Sequence, residues 1–549
     1  MSKKLIFAMS LLVLLLVSLS AAGAQDMMSM TAECGADTNT SNFQSIEAVD
    51  ALTVRFTLCA PDPAFPSKVA FSAFGIQPSE HIEATGGGGD LLRNPIGTGP
   101  YRLDTWDLGN EIVFTRNDSY WGDPAREATL IFRWNSEAAS RFVELQSGTV
   151  DGIDNPAPGD FEVIAGDANL ALYPRGGTNV FYLGMNNRIE PFTDVRVRQA
   201  VAYAIDRQRI VDNFYPPGSE AATQFMPPVL FGNTPEVAPF PYDPAMARQL
   251  IEEAAAENGW TLPLEVTLNY RDVVRGYLPQ PLIVGQDIQA QLAEVGININ
   301  IEVLESGAFL QAAAAGELAM FMLGWGADYP DPTNFLDFHF GNGAAPRFGD
   351  LIPELGAVLA QAAQLADPDA RYPLYVEANT ILRDQAPMIP IAHGGSGVAF
   401  QARITGAHSS PLGNEQFAVM EDPDDDNIIW MQNGEPISLY CADETDGETL
   451  RACEQIVESL LAYEVGGTAV VPALAASFEP NEDLTVWTFT LREGVTFHDG
   501  SALDANDVVV SFGVQWDAAS PLHVGNSGVF EYFSGFFGGF LNPPPAEGG

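Results

Sequence analysis

The side chains able to do chemistry are few and scattered. Six histidines stand at 81, 339, 393, 408, 498 and 523 and do not cluster. Neither an HExxH nor a GxSxG sequence occurs, so a zinc protease and an α/β-hydrolase lack their defining residues. His393-Gly394-Gly395-Ser396-Gly397 has the look of an oxyanion loop, but no nucleophile–base pair accompanies it. The run Gly86 to Gly89 lacks the Lys and Ser/Thr that a phosphate cradle needs, and reads as a surface loop. Asp422, Asp424 and Asp426 begin like a calcium loop. Asn427 then stands where glycine is required and Asn433 where the bidentate glutamate is required, so the acidic run EDPDDDN reads as a solvated linker. Four cysteines allow three pairings. The local one, Cys34 with Cys59 and Cys441 with Cys453, closes the shortest loops and is the expected one. No CxxC occurs, and neither pair has a histidine at zinc-ligand spacing. These residues predict no enzyme, no metal site and no cofactor.

The bulk of the chain must therefore position something other than a catalytic group. It has 549 residues, enough for two to four domains, and 46% of them are hydrophobic, enough for large cores. Lys+Arg number 25 against 72 Asp+Glu, a formal net charge of -47. Such a surface repels phosphate backbones and anionic membranes, which argues against nucleic-acid partners. Lysine occurs only at 3, 4 and 68. Lys3 and Lys4, the apolar run from Leu5 to about Leu19, and Ala22-Gly23-Ala24 together read as a secretory signal peptide cleaved after Ala24. No Cys follows the small residues directly, so a lipoprotein is not expected. An exported, extracytoplasmic chain suits disulfides.

The periodicities give elements of both types. Val54, Phe56 and Leu58 alternate as a strand, and residues 97–121 read as a hairpin turning at Gly109-Asn110. Helices are predicted at Ala138–Ser147, after the cap Asp194, at Pro244–Asn258 ended by Gly259, at Pro281–Glu294 and at Gly307–Gly316. Strands are predicted at Val180–Met185, Leu264–Leu268, Asn298–Leu304 and Leu318–Trp325. This βαβα rhythm predicts an α/β domain with a largely parallel or mixed sheet. Further helices are predicted at 350–366, 368–385 and Glu448–Tyr463, a strand at Thr485–Arg492, and a short helix at Asp504–Phe512.

Several stretches then carry a family. VVPALAASFEP followed by LTVWTFTLREGVTFHDGSALDANDVVVSF resembles the signature of family 5 extracytoplasmic solute-binding receptors of ABC importers, the dipeptide, oligopeptide and nickel group. PIGTGPY at 95–101, RNDSYWG at 116–122, DVRVRQAVAYAIDRQRIV at 194–211 and LGWGADYPDPTNF at 323–335 agree, so the resemblance covers nearly the whole chain after residue 24. In that family the FHDG segment lies near the N-terminus, whereas here it follows everything else. The resemblance thus implies a circularly permuted order, with EDPDDDN joining the family's old ends. A gene fragment or a fusion of two partial copies is the rival. The implied fold is α/β: a two-lobed periplasmic-binding-protein-like fold, type II with hinge-linked lobes, plus an additional small α+β domain. Its expected parts are a signal peptide at 1–24 and the first part of the small domain at 25–115. Lobe I then takes 116–262, lobe II 263–395, the lobe I return with the acidic linker 396–470, and the second part of the small domain 471–549.

The resemblance also implies a site. Asp328, kept at the W-x-x-D spacing from Trp325, is similar to the family aspartate that binds a peptide α-ammonium. Arg275, in YRDVVRGYLP, matches a context that supplies the arginine for the ligand carboxylate, and a guanidinium fork suits that task. Arg271 is its neighbouring competitor. Trp325, Tyr329 and Tyr277 are expected to line side-chain pockets, and Asp331, before Pro332, to be structural. The implied function is a receptor that closes two lobes over a di- or short oligopeptide and hands it to an ABC permease with paired ATPase subunits. The receptor itself is expected to be a monomer. The alternative is the same receptor class with another ligand: a nickel chelate, an oligosaccharide or an opine. A metal chelate would not need the aspartate.

Overall fold

A computed structural model of the chain describes residues 27–271, 275–342 and 344–544. The expected signal segment and its cleavage point lie outside the described residues. Among the described residues no helix is long and apolar enough to cross a membrane.

Three large sheets carry the fold. A seven-stranded sheet runs in the order 101–107, 111–116, 129–134, 427–432, 152–154, 396–401, 170–175. A six-stranded sheet runs 220–221, 388–393, 179–185, 320–326, 264–271, 297–304. It is mixed: strand Leu264–Arg271 pairs in parallel with both Ile297–Leu304 and Met320–Gly326, and Asn179–Met185 joins antiparallel. A five-stranded sheet runs 29–31, 43–50, 53–58, 486–491, 475–480.

The lobes divide at other positions than the sequence predicts. The hairpin Tyr101–Asp107 and Glu111–Arg116 extends the seven-stranded sheet rather than the small domain, because it pairs directly with the next strand, Thr129–Trp134. Strand Asn179–Met185 belongs to the six-stranded sheet, and the helices over 195–258 accompany it. Its NVFYLGM sequence is buried along almost its whole length, so it needs a neighbour on each edge and finds them in Met320–Gly326 and Met388–His393.

The chain crosses between these two sheets twice, at 176–178 and 394–395, and the two crossings lie side by side. Asn179 locks them: its Nδ2 donates to the Gly394 carbonyl at 2.8 Å and its Oδ1 accepts from the Gly394 N–H at 2.8 Å. A Cβ on Gly177 would stand 2.3 Å from the Gly394 carbonyl oxygen, so the close approach requires glycine. The HGGSG stretch is therefore the glycine-built return of a hinge, and His393 gives a ring nitrogen to the Asn179 carbonyl at 2.7 Å.

The small domain is assembled from both ends of the chain. Strand Thr53–Leu58 pairs antiparallel with Val486–Leu491, and the Asn42 N–H donates to the Phe537 carbonyl at 2.6 Å. Phe43 touches the rings of Phe56, Phe65, Phe512, Trp516, Phe533 and Phe537. Helix Ala505–Trp516, capped by Asp504, is buried along its full length. Disulfide pairing is local: Cys34 with Cys59 and Cys441 with Cys453.

Two stretches depart from their sequence reading. Residues 448–463 are not one helix; helix Gly447–Cys453 stops and strand Leu461–Tyr463 follows. The apolar run after Cys453 packs in two different cores, which a continuous helix face would not reach. Asp422 is not solvated: it is buried, accepts from the Arg403 guanidinium at 2.9 Å, and its N–H donates to Glu127. Asp422 thus anchors the entry to strand Asn427–Gln432.

Burial of carboxylates sets a pH dependence. Glu454, just after helix Gly447–Cys453, is pushed up to about 7 from an ordinary 4.5, mainly by burial, with the Asn414 and Ser72 side chains opposing. The fold therefore favours its protonated form. That stability is present below pH 4.5 and is lost as pH rises towards about 7. Glu454→Gln keeps the acceptor for Asn414 and removes the charge. It should raise stability by about 1–3 kcal/mol at pH 8 and by little at pH 5, measured by denaturant unfolding at both pH values. An equal effect at both would contradict it.

Candidate functional site

Strand Met320–Gly326 ends in a loop that begins a cleft of about 560 Å³. Arg271, Arg275, Tyr277, Trp325, Asp328 and Arg347 line it. Four of the five sequence-predicted binding residues thus meet in one place, together with the competing Arg271.

The loop is pinned from below. Asp331 takes two hydrogen bonds from the Arg371 guanidinium, both at 2.8 Å, in a buried bidentate pair. Asp331 is structural. Asn334 then organises what faces the cleft. Its Oδ1 accepts from the Asp328 N–H at 3.0 Å and from the Trp325 indole at 3.2 Å, while its Nδ2 donates to the Asp328 carboxylate at 2.9 Å. The Trp325 ring stacks on Phe338 at 4.3 Å. On the opposite wall, the Arg275 and Leu278 backbones bond each other across a tight turn, and the Tyr215 hydroxyl donates to the Tyr277 carbonyl at 2.7 Å. The Tyr277 ring lies on Gly324, where a Cβ would stand 2.2 Å from it.

The cleft carries charge of both signs. Burial raises the Asp328 carboxyl above its usual range, the Asn334 amide opposes this, and Glu531 adds to it. Among the described residues no lysine or arginine pairs with Asp328. Glu531 begins helix Glu531–Phe537 of the small domain. The neighbouring Tyr532 hydroxyl is pushed up first by burial, then by Asp328, Glu531 and Asp446. Asp446 caps helix Gly447–Cys453 through Oδ1, while its Oδ2 is buried with no hydrogen-bond partner. Three carboxylates from three parts of the fold therefore act on one hydroxyl. Arg271 and Arg275 line the same cleft as Asp328. A cleft lined by a carboxylate and by guanidinium groups attracts a molecule that carries both a cationic and an anionic group.

Tyr329 departs from its expected place. It is buried in the small domain's core, with its ring 5.0 Å from Phe536 and the Lys68 ammonium 5.1 Å from its centroid. The bend after strand Met320–Gly326 leaves it outside the cleft that Asp328 lines. Tyr329 is thus a contact between the six-stranded lobe and the small domain. Lys68 is held there by Asp62 at 2.7 Å. His498 is structural, bonded to the Gly99 carbonyl at 3.0 Å.

Sequence reasoning missed Asn334, Arg347, Glu531 and Asp446. Asn334 sits six residues after Asp328 in a turn-rich stretch, where an asparagine signals only a turn. Glu531 acts on Asp328, and Asp446 on the Tyr532 hydroxyl, through the tertiary fold alone, and no spacing rule reaches that far.

The comparisons agree with this architecture. The family model for bacterial extracellular solute-binding proteins, family 5 Middle, matches residues 20–346 and 469–528. Heme-binding protein A of Haemophilus influenzae is 31% identical over 382 residues, 68% of this chain and 69% of that protein. The dipeptide-binding protein of Escherichia coli is 31% identical over 386 residues, 68% of this chain and 70% of that protein. Among solved structures, HbpA2 from Haemophilus parasuis has a TM-score of 0.66 and 30% identity, covering 69% of this chain and 76% of that one. Hinge-linked lobes, a cleft at the end of a central strand and a match over two thirds of the relatives' lengths point the same way: the chain belongs to the family 5 bacterial extracellular solute-binding proteins.

Proposed function

We propose that this chain is an extracytoplasmic receptor that binds di- or short oligopeptides in the cleft at Asp328 and delivers them to an ABC permease with its ATPase subunits. Asp328 carries the reading. A half-buried carboxylate that pairs with no lysine or arginine among the described residues is unfavourable unless a ligand ammonium completes it. The arginines at 271 and 275 suit the ligand carboxylate. The relatives named for dipeptides support the same class. Export by the N-terminal segment, action as a monomer and absence of catalysis belong to this reading. So does the permuted segment order, which the pairing of Thr53–Leu58 with Val486–Leu491 supports. A second reading, a non-peptide ligand such as haem, follows the name of one relative. The cleft offers it Tyr277 as a candidate iron ligand but no histidine, cysteine or methionine among its described lining residues, whereas Asp328 and the arginines suit a peptide's two charges. Calorimetry of the purified protein with a panel of di- and tripeptides tests the proposal. Saturable one-to-one binding is expected. No binding across the panel, with saturable uptake of haem, would contradict it.

A further inference from the structure

The third arginine of the cleft has no task in holding the two ends of a peptide. Arg347 sits in the turn Pro346–Phe348, which the surrounding backbone fixes tightly. The Asn187 N–H donates to the Phe348 carbonyl at 2.9 Å, and the Asp350 N–H donates to Asn187 Oδ1 at 2.7 Å. Gly349 follows at φ +93°, where a Cβ would stand 2.2 Å from Asn187 Oδ1. The turn is thus tied to the end of the central strand Asn179–Met185. From it the Arg347 guanidinium extends over the Phe338 ring, 5.7 Å from the centroid, and Phe338 itself stacks on Trp325. Its polar neighbours are the Tyr182 hydroxyl and the His339 ring. Both are neutral: burial and Arg347 together hold His339 down at about 3.

Other enclosed arginines are compensated. Arg175, Arg371, Arg403 and Arg451 pair with carboxylates, and Arg141, Arg198 and Arg207 donate to backbone carbonyls. Among the described residues Arg347 forms no ion pair. It is half-buried, pre-set by stacking, and lines a binding cleft. A planar guanidinium so held presents its N–H fork to a carboxylate with little further loss of freedom.

Resting on the peptide reading above, we propose that Arg347 is a specificity residue that makes the cleft select peptides carrying an Asp or Glu side chain. The side-chain carboxylate takes the guanidinium fork of Arg347, leaving the α-ammonium to Asp328.

The test is calorimetry of the purified protein with matched pairs: Ala-Glu against Ala-Gln, Glu-Ala against Gln-Ala, and Ala-Glu-Ala against Ala-Gln-Ala. At least one acidic member should bind about tenfold tighter than its amide, the range of one charge-assisted pair. Arg347→Gln should abolish that difference by weakening the acidic member alone, and Arg347→Lys should restore part of it. Unchanged affinity for the amide peptides shows that the variant is folded. Equal binding of acid and amide by the natural protein overturns the proposal while leaving the peptide reading standing. So does a preference that survives Arg347→Gln, or equal weakening of both members. If no peptide of either kind binds, the peptide reading fails and this proposal fails with it.

Discussion

Replacing Asp328 by alanine will weaken peptide binding by about 2–5 kcal/mol, the range for removing one partner of an enclosed charge pair. The ligand ammonium would enter a cleft lined by Trp325 and meet no adjacent carboxylate from the loop. Asp328→Asn keeps the shape and the Asn334 contact but removes the charge, and should lose nearly as much. Stability should change little in either variant, because Asp328 makes no ion pair with the described protein. Calorimetry with any peptide that binds the natural protein measures the loss. Unchanged affinity in a folded variant would remove Asp328 from the site. Loss of folding would show that Asp328 holds the loop rather than the ligand.

Deleting residues 471–549 will give insoluble protein rather than a trimmed receptor. The deletion removes strands 475–480 and 486–491 and so strips one edge of strand Thr53–Leu58. It also removes Phe489, Phe512, Phe533 and Phe537, against which Phe43, Phe56 and Phe65 pack. An unpaired strand beside an exposed aromatic face pairs with other chains. Sedimentation after expression reads the outcome, and supplying 471–549 on a second chain should recover part of the soluble protein. A soluble, monomeric remainder that still binds peptide would show that the two ends do not form one domain.

Local signals in the sequence were strong where one element explains itself. Helix Pro244–Asn258 has Asp243 at its cap, proline in its first turn and Gly259 at φ +72° after its end, and each is readable without any partner. The turn at Gly109, with φ +80°, is equally local. The lobe boundaries were less readable, because the sheet that a strand such as Asn179–Met185 joins depends on partners more than a hundred residues away. The same division holds at the site. Trp325 and Asp328 share one loop and one motif, and Arg275 and Tyr277 share one turn. Glu531 acts on Asp328 only after the small domain has been built from both ends of the chain. Tyr329 follows Asp328 directly and yet packs in a different core, because the chain bends at these residues after strand Met320–Gly326 ends. Asp422 shows how charge misleads: an acidic run reads as solvent-facing until its arginine is located.

The identity of the bound molecule tests the central claim most directly. The protein purified without refolding should be denatured and the released small molecules identified by mass spectrometry. The account expects short peptides in a ratio approaching one per protein, absent from a parallel Asp328→Ala preparation. Release of haem, a metal chelate or a sugar from the natural protein, undiminished in the Asp328→Ala preparation, would contradict it.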